Sequence, residues 1–368
     1  MKIIICGFGS AGYAAAMSVK RTEPKSEIIV IDPKESDLMH PCGLPYALEG
    51  IINPTELLQD LNLKGGGITK LKGRVTQISS DLKEVYYETD CGKLNEKYDS
   101  LIIATGYKAI RPAITGIENL FGDSVFTLTN TCDLENIIRK SETATRCAVI
   151  GGGAIGIEAA FALNRKGKVV TLVEMQKQLL KGIIDPDISM LMENFLTSQG
   201  IKITKDSTVS AFEESGRLHK VTCSSEVIDS EITIIATGFA PDISIAENSG
   251  IKCNTRGITT DTFLRTSVQN VFAAGDCIES WSSIDGKQLS SRLATSAYKQ
   301  GTIAGINALG GATEYRGTAS TFVTRVGNFE IAGTGFNTET AIERGFEPVS
   351  GKIMSKVRPE YYPDNADI

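Results

Sequence analysis

One short pattern occurs twice along the chain, and it restricts the possible folds more than any other feature of the sequence. Each copy begins with an apolar run of strand-forming residues, continues through a glycine-rich turn and ends in an alanine-rich helical segment. The glycines follow the spacing G-x-G-x-x-G in both turns: Gly7, Gly9 and Gly12 in the first, Gly151, Gly153 and Gly156 in the second. Two units of strand, turn and helix are therefore predicted.

Each copy also carries a carboxylate at the end of its second apolar strand, Asp32 after EIIVI and Glu174 after VVTLV. Both acids follow their first glycine by close to the ~20 residues expected of a carboxylate that binds an adenosine ribose. In such a turn the second glycine admits a pyrophosphate, and the helix N-terminus stabilises its charge. Each copy closes with a further buried strand and the residues Ala-Thr-Gly: Ala104, Thr105 and Gly106, then Ala236, Thr237 and Gly238.

Two dinucleotide units predict an α/β fold with two Rossmann-like domains, and two dinucleotides in one chain indicate electron transfer between them. Residues 69–100 lie between the units and alternate apolar and polar residues around turns, which predicts a β-meander over one edge of the first sheet. After the second unit, a buried strand precedes Gly275 and Asp276. This segment fits a backbone that approaches a sugar or polyol hydroxyl, and the alternative is an ordinary turn with a capping aspartate.

Charge and cysteine usage exclude several classes of protein. The formal net charge of −6 and the isoelectric point near 5.3 argue against a nucleic-acid partner, which would need a basic face. The apolar stretch from Ile3 to Met17 is too short to span a membrane and contains the first glycine fingerprint, so a cytoplasmic protein is predicted. The eight cysteines include no C-x-x-C pair and there are only two histidines, so no metal site is expected.

These motifs together resemble those of the FAD-dependent pyridine nucleotide-disulfide oxidoreductases, and the similarity extends over nearly the whole chain. Within that family the chain is most similar to the single-cysteine branch: coenzyme A-disulfide reductases, NADH oxidases, NADH peroxidases and persulfide reductases. The similarity rests on the two fingerprints, both Ala-Thr-Gly strand ends, the AAGD segment and HPCGLPYALEG. It implies two Rossmann-like domains, one for FAD and one for NAD, followed by the beginning of an α+β interface domain.

The resemblance also implies which residues hold the two cofactors. The first unit holds FAD, with Asp276 on the ribityl chain, Val75 on the adenine through its backbone and Ala294 beside the isoalloxazine ring. The other expected FAD contacts are Gly7, Gly9, Gly12, Asp32, Ala104, Thr105 and Gly106. The second unit holds NADH, with NADPH as the alternative, and the expected contacts are Gly151, Gly153, Ile155, Gly156, Glu174 and Gly238.

In this family the NAD domain is inserted into the FAD domain, so a discontinuous first domain is expected. The implied boundaries are 1–110 and 245–316 for the FAD-binding domain, 111–244 for the NAD(P)H-binding domain and 317–368 for a partial C-terminal interface domain. In the last part, strand-like segments flank a helix predicted at Thr338–Arg344. Relatives continue beyond the position of Ile368, so either the sequence is truncated or the interface is reduced. A complete interface domain would imply a homodimer.

Cys42 is the candidate catalytic residue. It lies just before the helical segment ALEG, where backbone N–H groups and the helix dipole would lower the thiol pKa, and Gly43 would let a flat ring approach. Position 47 is alanine, so the second cysteine of a C-x-x-x-x-C pair is absent. Cys42 must therefore cycle through a sulfenic acid, a mixed disulfide or a persulfide. His40 is a candidate base, although solvent exposure is the favoured interpretation, and His219 is predicted on the surface of a strand.

The electron acceptor stays open among several classes. Ser10 stands where the resemblance places a histidine in peroxidases and water-forming oxidases, which favours a disulfide or persulfide of coenzyme A, or slow oxygen reduction. Lys20 and Arg21 are candidate anchors for coenzyme A phosphates, with a solvated helix end as the favoured alternative. The predicted function is an oxidoreductase that passes electrons from NADH through FAD to Cys42 and a small disulfide or persulfide. The alternatives are an NADH oxidase that reduces oxygen and a flavoprotein reductase of a redox protein such as rubredoxin, in which Cys42 is incidental.

Overall fold

The computed structural model describes residues 1–359 and 361, and the other residues of the predicted interface domain, 360 and 362–368, lie outside the described residues. The elements of the first part of the chain are, in order, β1 (Lys2–Cys6), α1 (Ser10–Thr22), β2 (Glu27–Asp32), β3 (Leu38–Met39), a 3₁₀ turn (Pro41–Gly43), α2 (Leu44–Glu49), a second 3₁₀ turn (Pro54–Leu57), β4 (Leu58–Gln59), β5 (Ile68–Lys72), β6 (Arg74–Ser79), β7 (Glu84–Thr89), β8 (Gly92–Lys97), β9 (Ser100–Ile103) and β10 (Tyr107–Ala109).

The middle of the chain contains β11 (Val125–Phe126), α3 (Thr131–Ser141), β12 (Arg146–Ile150), α4 (Ala154–Arg165), β13 (Val169–Val173), α5 (Pro186–Ser198), β14 (Lys202–Thr204), β15 (Val209–Ser215), β16 (Leu218–Cys223), β17 (Val227–Ser230), β18 (Ile232–Ile235) and β19 (Phe239–Pro241). The last part contains α6 (Ser244–Asn248), β20 (Cys253–Asn254), β21 (Gly257–Ile258), β22 (Val271–Ala273), β23 (Ser280–Trp281), β24 (Gln288–Leu289), α7 (Ala294–Ala308), β25 (Phe322–Val326), β26 (Phe329–Gly333) and α8 (Thr338–Glu343).

The first five-stranded sheet is parallel throughout and has the order β22, β9, β1, β2, β5. Its central strand β1 is a run of isoleucines, and Ile3, Ile4 and Ile5 are completely buried. A parallel sheet that is covered on both faces needs such a continuous apolar run. Strand β22 follows the whole second unit in sequence yet pairs with β9, so the first sheet is built from two separate parts of the chain.

The second five-stranded sheet repeats this arrangement in the order β11, β18, β12, β13, β14, again with all strands parallel. The strand before the glycine turn is central in both sheets. The strand that ends in the acid lies on one side of it, and the strand that ends in Ala-Thr-Gly lies on the other. The predicted α/β fold with two Rossmann-like units is therefore confirmed.

Helix α1 packs against α7 through small residues. A Cβ atom on Gly301 would lie 2.1 Å from the carbonyl oxygen of Ala11, and one on Gly305 would lie 2.6 Å from that of Ala15. Only glycine at these positions lets the two helix backbones come so close. Because α7 begins at Ala294, this contact also determines where that residue lies relative to the first glycine turn.

Small antiparallel sheets complete the framework. Strands β6, β7 and β8 form the predicted meander, and β15, β16 and β17 form a similar sheet inside the second unit, between β14 and β18. The two segments that connect the units pair with each other as β10 and β19, with the rings of Tyr107 and Phe239 4.3 Å apart. The two units are thus joined by paired strands rather than by single linkers.

The C-terminal segment packs on the second unit through a hairpin, β25 and β26. Phe329 stacks on Phe195 of α5, which in turn stacks on Phe161 of α4, with centroid separations of 5.1 and 6.0 Å. Helix α8 ends at Glu343, and Arg344 caps it through a bond to the carbonyl of Thr340. Among the described residues, no helix combines the length and the apolar character that a membrane crossing requires.

His219 is buried, so the prediction that it lies on the surface of its strand is wrong. It shares the buried face of β16 with Val221 and Cys223, and only 1% of it is exposed. Its Nε2 lies 2.7 Å from the hydroxyl of Thr233, and its ring packs on Phe212. Burial lowers the pKa of His219 to about 4, because the charged imidazolium would lose its hydration.

The burial of His219 predicts a specific pH dependence of stability. The unfolded chain binds a proton at this residue near pH 6.5, whereas the folded protein binds it only near pH 4. Lowering the pH across this window should therefore remove about 3 kcal/mol from the free energy of unfolding, and the loss should stop below pH 4. His219→Gln does not titrate and should lack this component. Urea unfolding of both proteins at several pH values between 7 and 4 measures this loss of free energy. If the free energy of unfolding falls equally with pH in both proteins, His219 is not the group responsible.

Candidate functional site

The first glycine turn is shaped by two contacts between backbone atoms. Gly7 has a φ of +99°, and a Cβ atom there would lie 2.4 Å from the carbonyl oxygen of Ala104. A Cβ atom on Gly12 would lie 2.1 Å from the carbonyl oxygen of Gly7. The middle residue, Gly9, differs from both because nothing lies within 4 Å of its Cβ position. Gly9 therefore presents open backbone at the N-terminus of α1, where an anion is stabilised.

Asp32 is held above this turn by hydrogen bonds from the chain around it. Its Oδ2 accepts from the backbone N–H of Phe8 at 2.6 Å and from Nζ of Lys34 at 2.7 Å. Its Oδ1 accepts from the backbone N–H of Lys34 at 2.8 Å. The carboxylate is thereby fixed at the carboxyl end of β2, beside the open turn.

A cavity of about 890 Å³ extends from this turn. It brings together most of the residues predicted to contact FAD, and also the predicted catalytic cysteine: Gly7, Gly9, Asp32, Cys42, Ala104, Thr105, Gly106, Asp276 and Ala294. Two predicted contacts do not line it. Gly12 lies beneath Gly7, and the half-buried Val75 packs on the first core beside Arg74, which does line the cavity.

Several cavity residues were not identified from the sequence, and most are charged or polar: Lys34, Arg74, Lys108, Arg111, Thr127, Asn130, Asp133, Asp242 and Arg292. The basic ones can offset the charge of an anionic ligand in a chain of negative net charge. Lys34 and Arg74 stand next to motif residues, which was a usable signal. The others come from distant parts of the chain and carry no local pattern.

Asp276 is a carboxylate of the cavity for which the described residues supply no hydrogen-bond donor. Burial raises its pKa to about 6, against the opposing effect of the Arg292 charge. In the part of the chain that the structure describes, no group donates a hydrogen bond to it. Because buried polar groups are normally paired, this carboxylate is suited to a ligand that donates hydroxyl groups.

The second glycine turn has the same construction as the first. Gly151 has a φ of +115°, and Cβ atoms on Gly151 and Gly156 would lie 2.3 Å from the oxygen of Ala236 and 1.9 Å from that of Gly151. Gly153 is open, with nothing within 4 Å. Glu174 accepts hydrogen bonds from the backbone N–H groups of Gly152 at 2.5 Å and Gln176 at 2.7 Å. The remaining predicted contacts of this unit are the half-buried Ile155 and Gly238, whose φ is +101°.

Cys42 is exposed at the cavity wall in the 3₁₀ turn Pro41–Gly43, but its predicted low pKa is wrong. Desolvation by the surrounding protein raises the pKa of the thiol, and the charges of Glu158 and Asp276 raise it further. The Cys42 backbone N–H acts in the opposite direction. The following helix is only six residues long, so its dipole does not outweigh burial and two carboxylates.

Other candidates near the thiol have ordinary structural surroundings. A Cβ atom on Gly43 would meet the side chain of Leu57 at 2.3 Å, so packing requires glycine there as well. His40 is exposed, with Nε2 3.3 Å from Oε1 of Gln59, as the favoured interpretation predicted. Ser10 lines the cavity at the start of α1. Lys20 and Arg21 lie at the far end of the same helix and do not line the cavity; Lys20 donates to the carbonyl of Pro24.

Comparison with known proteins identifies the family. The family described as pyridine nucleotide-disulphide oxidoreductase matches residues 1–301. The chain belongs to this family. It is 32% identical over 374 residues to an NAD(P)H coenzyme A polysulfide/persulfide reductase of Pyrococcus horikoshii, covering 100% of this chain and 83% of that protein. It is 29% identical over 382 residues to an NADH oxidase of Methanocaldococcus jannaschii, with coverage of 100% and 83%.

A solved structure shows the same similarity in three dimensions. The NAD-dependent persulfide reductase from A. fulgidus superposes with a TM-score of 0.91 at 28% identity, over 100% of this chain and 70% of that chain. The predicted resemblance is confirmed, and so is the prediction that the protein is an oxidoreductase enzyme. Pyridine nucleotide-disulphide oxidoreductases bind FAD and a pyridine nucleotide, and the residues present fit both. Two open glycines at helix N-termini suit two pyrophosphates, and Asp276 suits a polyol chain.

A further residue, outside the cavity wall, was also not identified from the sequence. Glu158 lies in the second turn of α4 and accepts a hydrogen bond from the hydroxyl of Thr324 at 2.6 Å. Burial raises the pKa of its carboxyl group, and the Thr324 bond acts against this. Glu158 is the charged group with the largest effect on Cys42. It is also the only acid in an otherwise apolar helix segment, AIGIEAAFAL, which was a usable signal.

The glycine geometry predicts different outcomes for two alanine substitutions in the first turn. Gly12→Ala places a methyl group against the Gly7 carbonyl and should destabilise the protein by roughly 1–3 kcal/mol. Gly9→Ala meets no protein atom, so the apoprotein should keep its thermal stability, while the added methyl group obstructs the pyrophosphate and weakens FAD binding. Thermal unfolding without FAD and fluorescence titration with FAD measure the two effects. Equal loss of stability in both variants would contradict this assignment.

Proposed function

We propose that this oxidoreductase reduces a small disulfide or persulfide, such as that of coenzyme A, with electrons from NADH that pass through FAD and Cys42. One observation carries the proposal: Cys42 is an exposed thiol in the wall of the cavity that also contains Gly9 and Asp276. The P. horikoshii and A. fulgidus proteins named above, both persulfide reductases by name, support this class of acceptor. A homodimer and a cytoplasmic location stay predictions.

The proposed cofactor contacts are those expected from the sequence. For FAD they are Gly7, Gly9, Gly12, Asp32, Val75, Ala104, Thr105, Gly106, Asp276 and Ala294. For NADH they are Gly151, Gly153, Ile155, Gly156, Glu174 and Gly238. The proposed domains are 1–110 with 245–316 for FAD, 111–244 for NAD(P)H and 317–368 for part of an interface domain. The pairing of β22 with β9 supports the discontinuous first domain.

The chain's own part in the reaction is thiol exchange at Cys42. The Cys42 thiolate attacks one sulfur of the acceptor, so that a sulfur–sulfur bond forms at Cys42 and the acceptor's own bond breaks. The departing thiolate takes up a proton. The two electrons that cleave the mixed disulfide would come from NADH through FAD, the chemistry that the flavin would supply when bound. The second thiol then leaves with a second proton, and Cys42 is again a thiolate.

Oxygen reduction is the second candidate, and the similarity to the M. jannaschii NADH oxidase favours it. Transfer of two electrons and two protons to oxygen would give peroxide and would need no bond to Cys42. The cavity wall, in the described part of the chain, includes the hydroxyl of Ser10 but no histidine. We therefore rank oxygen below a sulfur acceptor.

The proposed role of Cys42 predicts that Cys42→Ser abolishes turnover with coenzyme A disulfide. A hydroxyl group cannot form the mixed disulfide, whereas FAD content and flavin reduction by NADH should stay near wild type because neither glycine turn is touched. Cys91→Ser is the matched control, since Cys91 is also exposed but lies in the turn after β7. NADH consumption and thiol release measure both variants. Full disulfide reduction by Cys42→Ser would show that electrons leave by another route.

The geometry at Glu174 predicts a preference for NADH over NADPH. Its carboxylate is fixed by two backbone N–H groups and can accept bonds from ribose hydroxyls, but it repels a 2′-phosphate. Glu174→Gln should reduce the ratio of kcat/KM for NADH over NADPH by about tenfold, equivalent to ~1.4 kcal/mol. Lys177→Gln is the control, because it removes the flexible positive charge three residues after Glu174 and shows how much that charge contributes to the ratio. An unchanged ratio in Glu174→Gln would assign the preference to other residues.

A further inference from the structure

A part-buried hydrogen bond joins the C-terminal hairpin to the second unit. Thr324 lies in β25 between Val323 and Arg325, which are exposed, and is itself only 3% exposed. Its hydroxyl donates to Oε1 of Glu158 at 2.6 Å. A residue of the C-terminal segment thus holds a carboxylate of the second unit, more than 160 positions away in sequence.

The helix that carries this carboxylate, α4, packs against the segment that follows the thiol. Helix α2 packs against α4, and a long-range ion pair of 3.9 Å also joins Glu49 and Arg165 at this contact. Cys42 lies in the 3₁₀ turn directly before α2, and Tyr46 lies in the first turn of that helix. After burial, the Glu158 charge has the largest effect in raising the pKa of each of them.

Two further carboxylates and one guanidinium act on Cys42 or Tyr46. The carboxylate of Asp276 faces Cys42 from the cavity and also raises the pKa of the thiol. From the hairpin, Arg325 lowers and Glu330 raises the pKa of Tyr46. Glu158 is therefore the main charge that α4 presents to the thiol, and Thr324 is its hydrogen-bond donor.

We propose that Thr324 is a positioning residue for the reactive thiol: by holding the Glu158 carboxylate ionised and in place beside α2, it controls how readily Cys42 loses its proton. This role of Thr324 rests on the proposed function in one respect, namely that Cys42 is the reacting sulfur. Thr324 does not line the cavity. It acts on Cys42 only through Glu158.

The expected direction follows from charge. Burial favours the neutral form of Glu158, and the hydrogen bond from Thr324 favours the ionised form. Without that hydroxyl the carboxyl group keeps its proton to a higher pH, and over that range no negative charge opposes the Cys42 thiolate. At high pH the carboxyl group is ionised with or without Thr324, so the effect disappears there.

The test is the rate of alkylation of Cys42 by iodoacetamide in the FAD-loaded protein, without NADH or acceptor, followed by mass spectrometry of the Cys42 peptide from pH 5.5 to pH 9. Thr324→Val should react up to about tenfold faster than wild type near pH 6, the effect of a shift of ~1 unit, and equally fast near pH 9. Thr324→Ser keeps the hydroxyl and should behave as wild type. Glu158→Gln has no charge at any pH and should react faster over the whole range.

Two comparisons make the result specific. Thr324→Val should have no further effect in the Glu158→Gln background, because the coupling runs through that carboxylate. Thr321→Val is the matched control: it removes a hydroxyl that lies 2.7 Å from the hydroxyl of Thr334 beside the same hairpin and should change nothing. An unchanged pH profile in Thr324→Val, or a persistent effect without Glu158, would overturn the proposal. The alkylation assay contains no acceptor. If the enzyme does not reduce coenzyme A disulfide, that result counts against the proposed function and leaves the role of Thr324 unaffected.

Discussion

A backbone carbonyl pressed against a glycine, twice in each unit, is the contact on which the rest of the structure depends. In the first turn the Gly7 oxygen occupies the space that a Cβ of Gly12 would need, and the Ala104 oxygen does the same for Gly7. The strand, the helix start and the Ala-Thr-Gly strand can converge only because no side chain separates them. Their convergence opens Gly9 at the carboxyl edge of the sheet, which is where ligands bind in open α/β sheets.

Close backbone approach also assembles the site from distant parts of the chain. The glycines of α7 allow it to lie directly on α1, and β22 pairs with β9 in the first sheet. These two contacts bring Ala294 and Asp276 to the cavity that starts at Gly7. The second unit keeps its own sheet, but it also contributes Thr127, Asn130 and Asp133 to the wall of the same cavity.

Burial decides the ionisation of several groups, and the direction depends on the type of group. It favours the neutral form each time, so it raises the pKa of Cys42, Asp276 and Glu158 and lowers that of His219. At Cys42 the nearby carboxylates act in the same direction as burial. A short helix beside a thiol is therefore insufficient evidence for a thiolate, and the hydrogen bond from Thr324 becomes relevant to the chemistry.

Sequence alone determined the two units, their acids, the meander and the candidate thiol, because each depends on residues within a few positions or on strand periodicity. The discontinuous arrangement and the cofactor contacts came from the family resemblance, which those local motifs carried. Only the tertiary structure decided the burial of His219, the raised pKa of Cys42 and the contact between Glu158 and Thr324. Desolvation and charge act through space, and the groups responsible lie far apart along the chain.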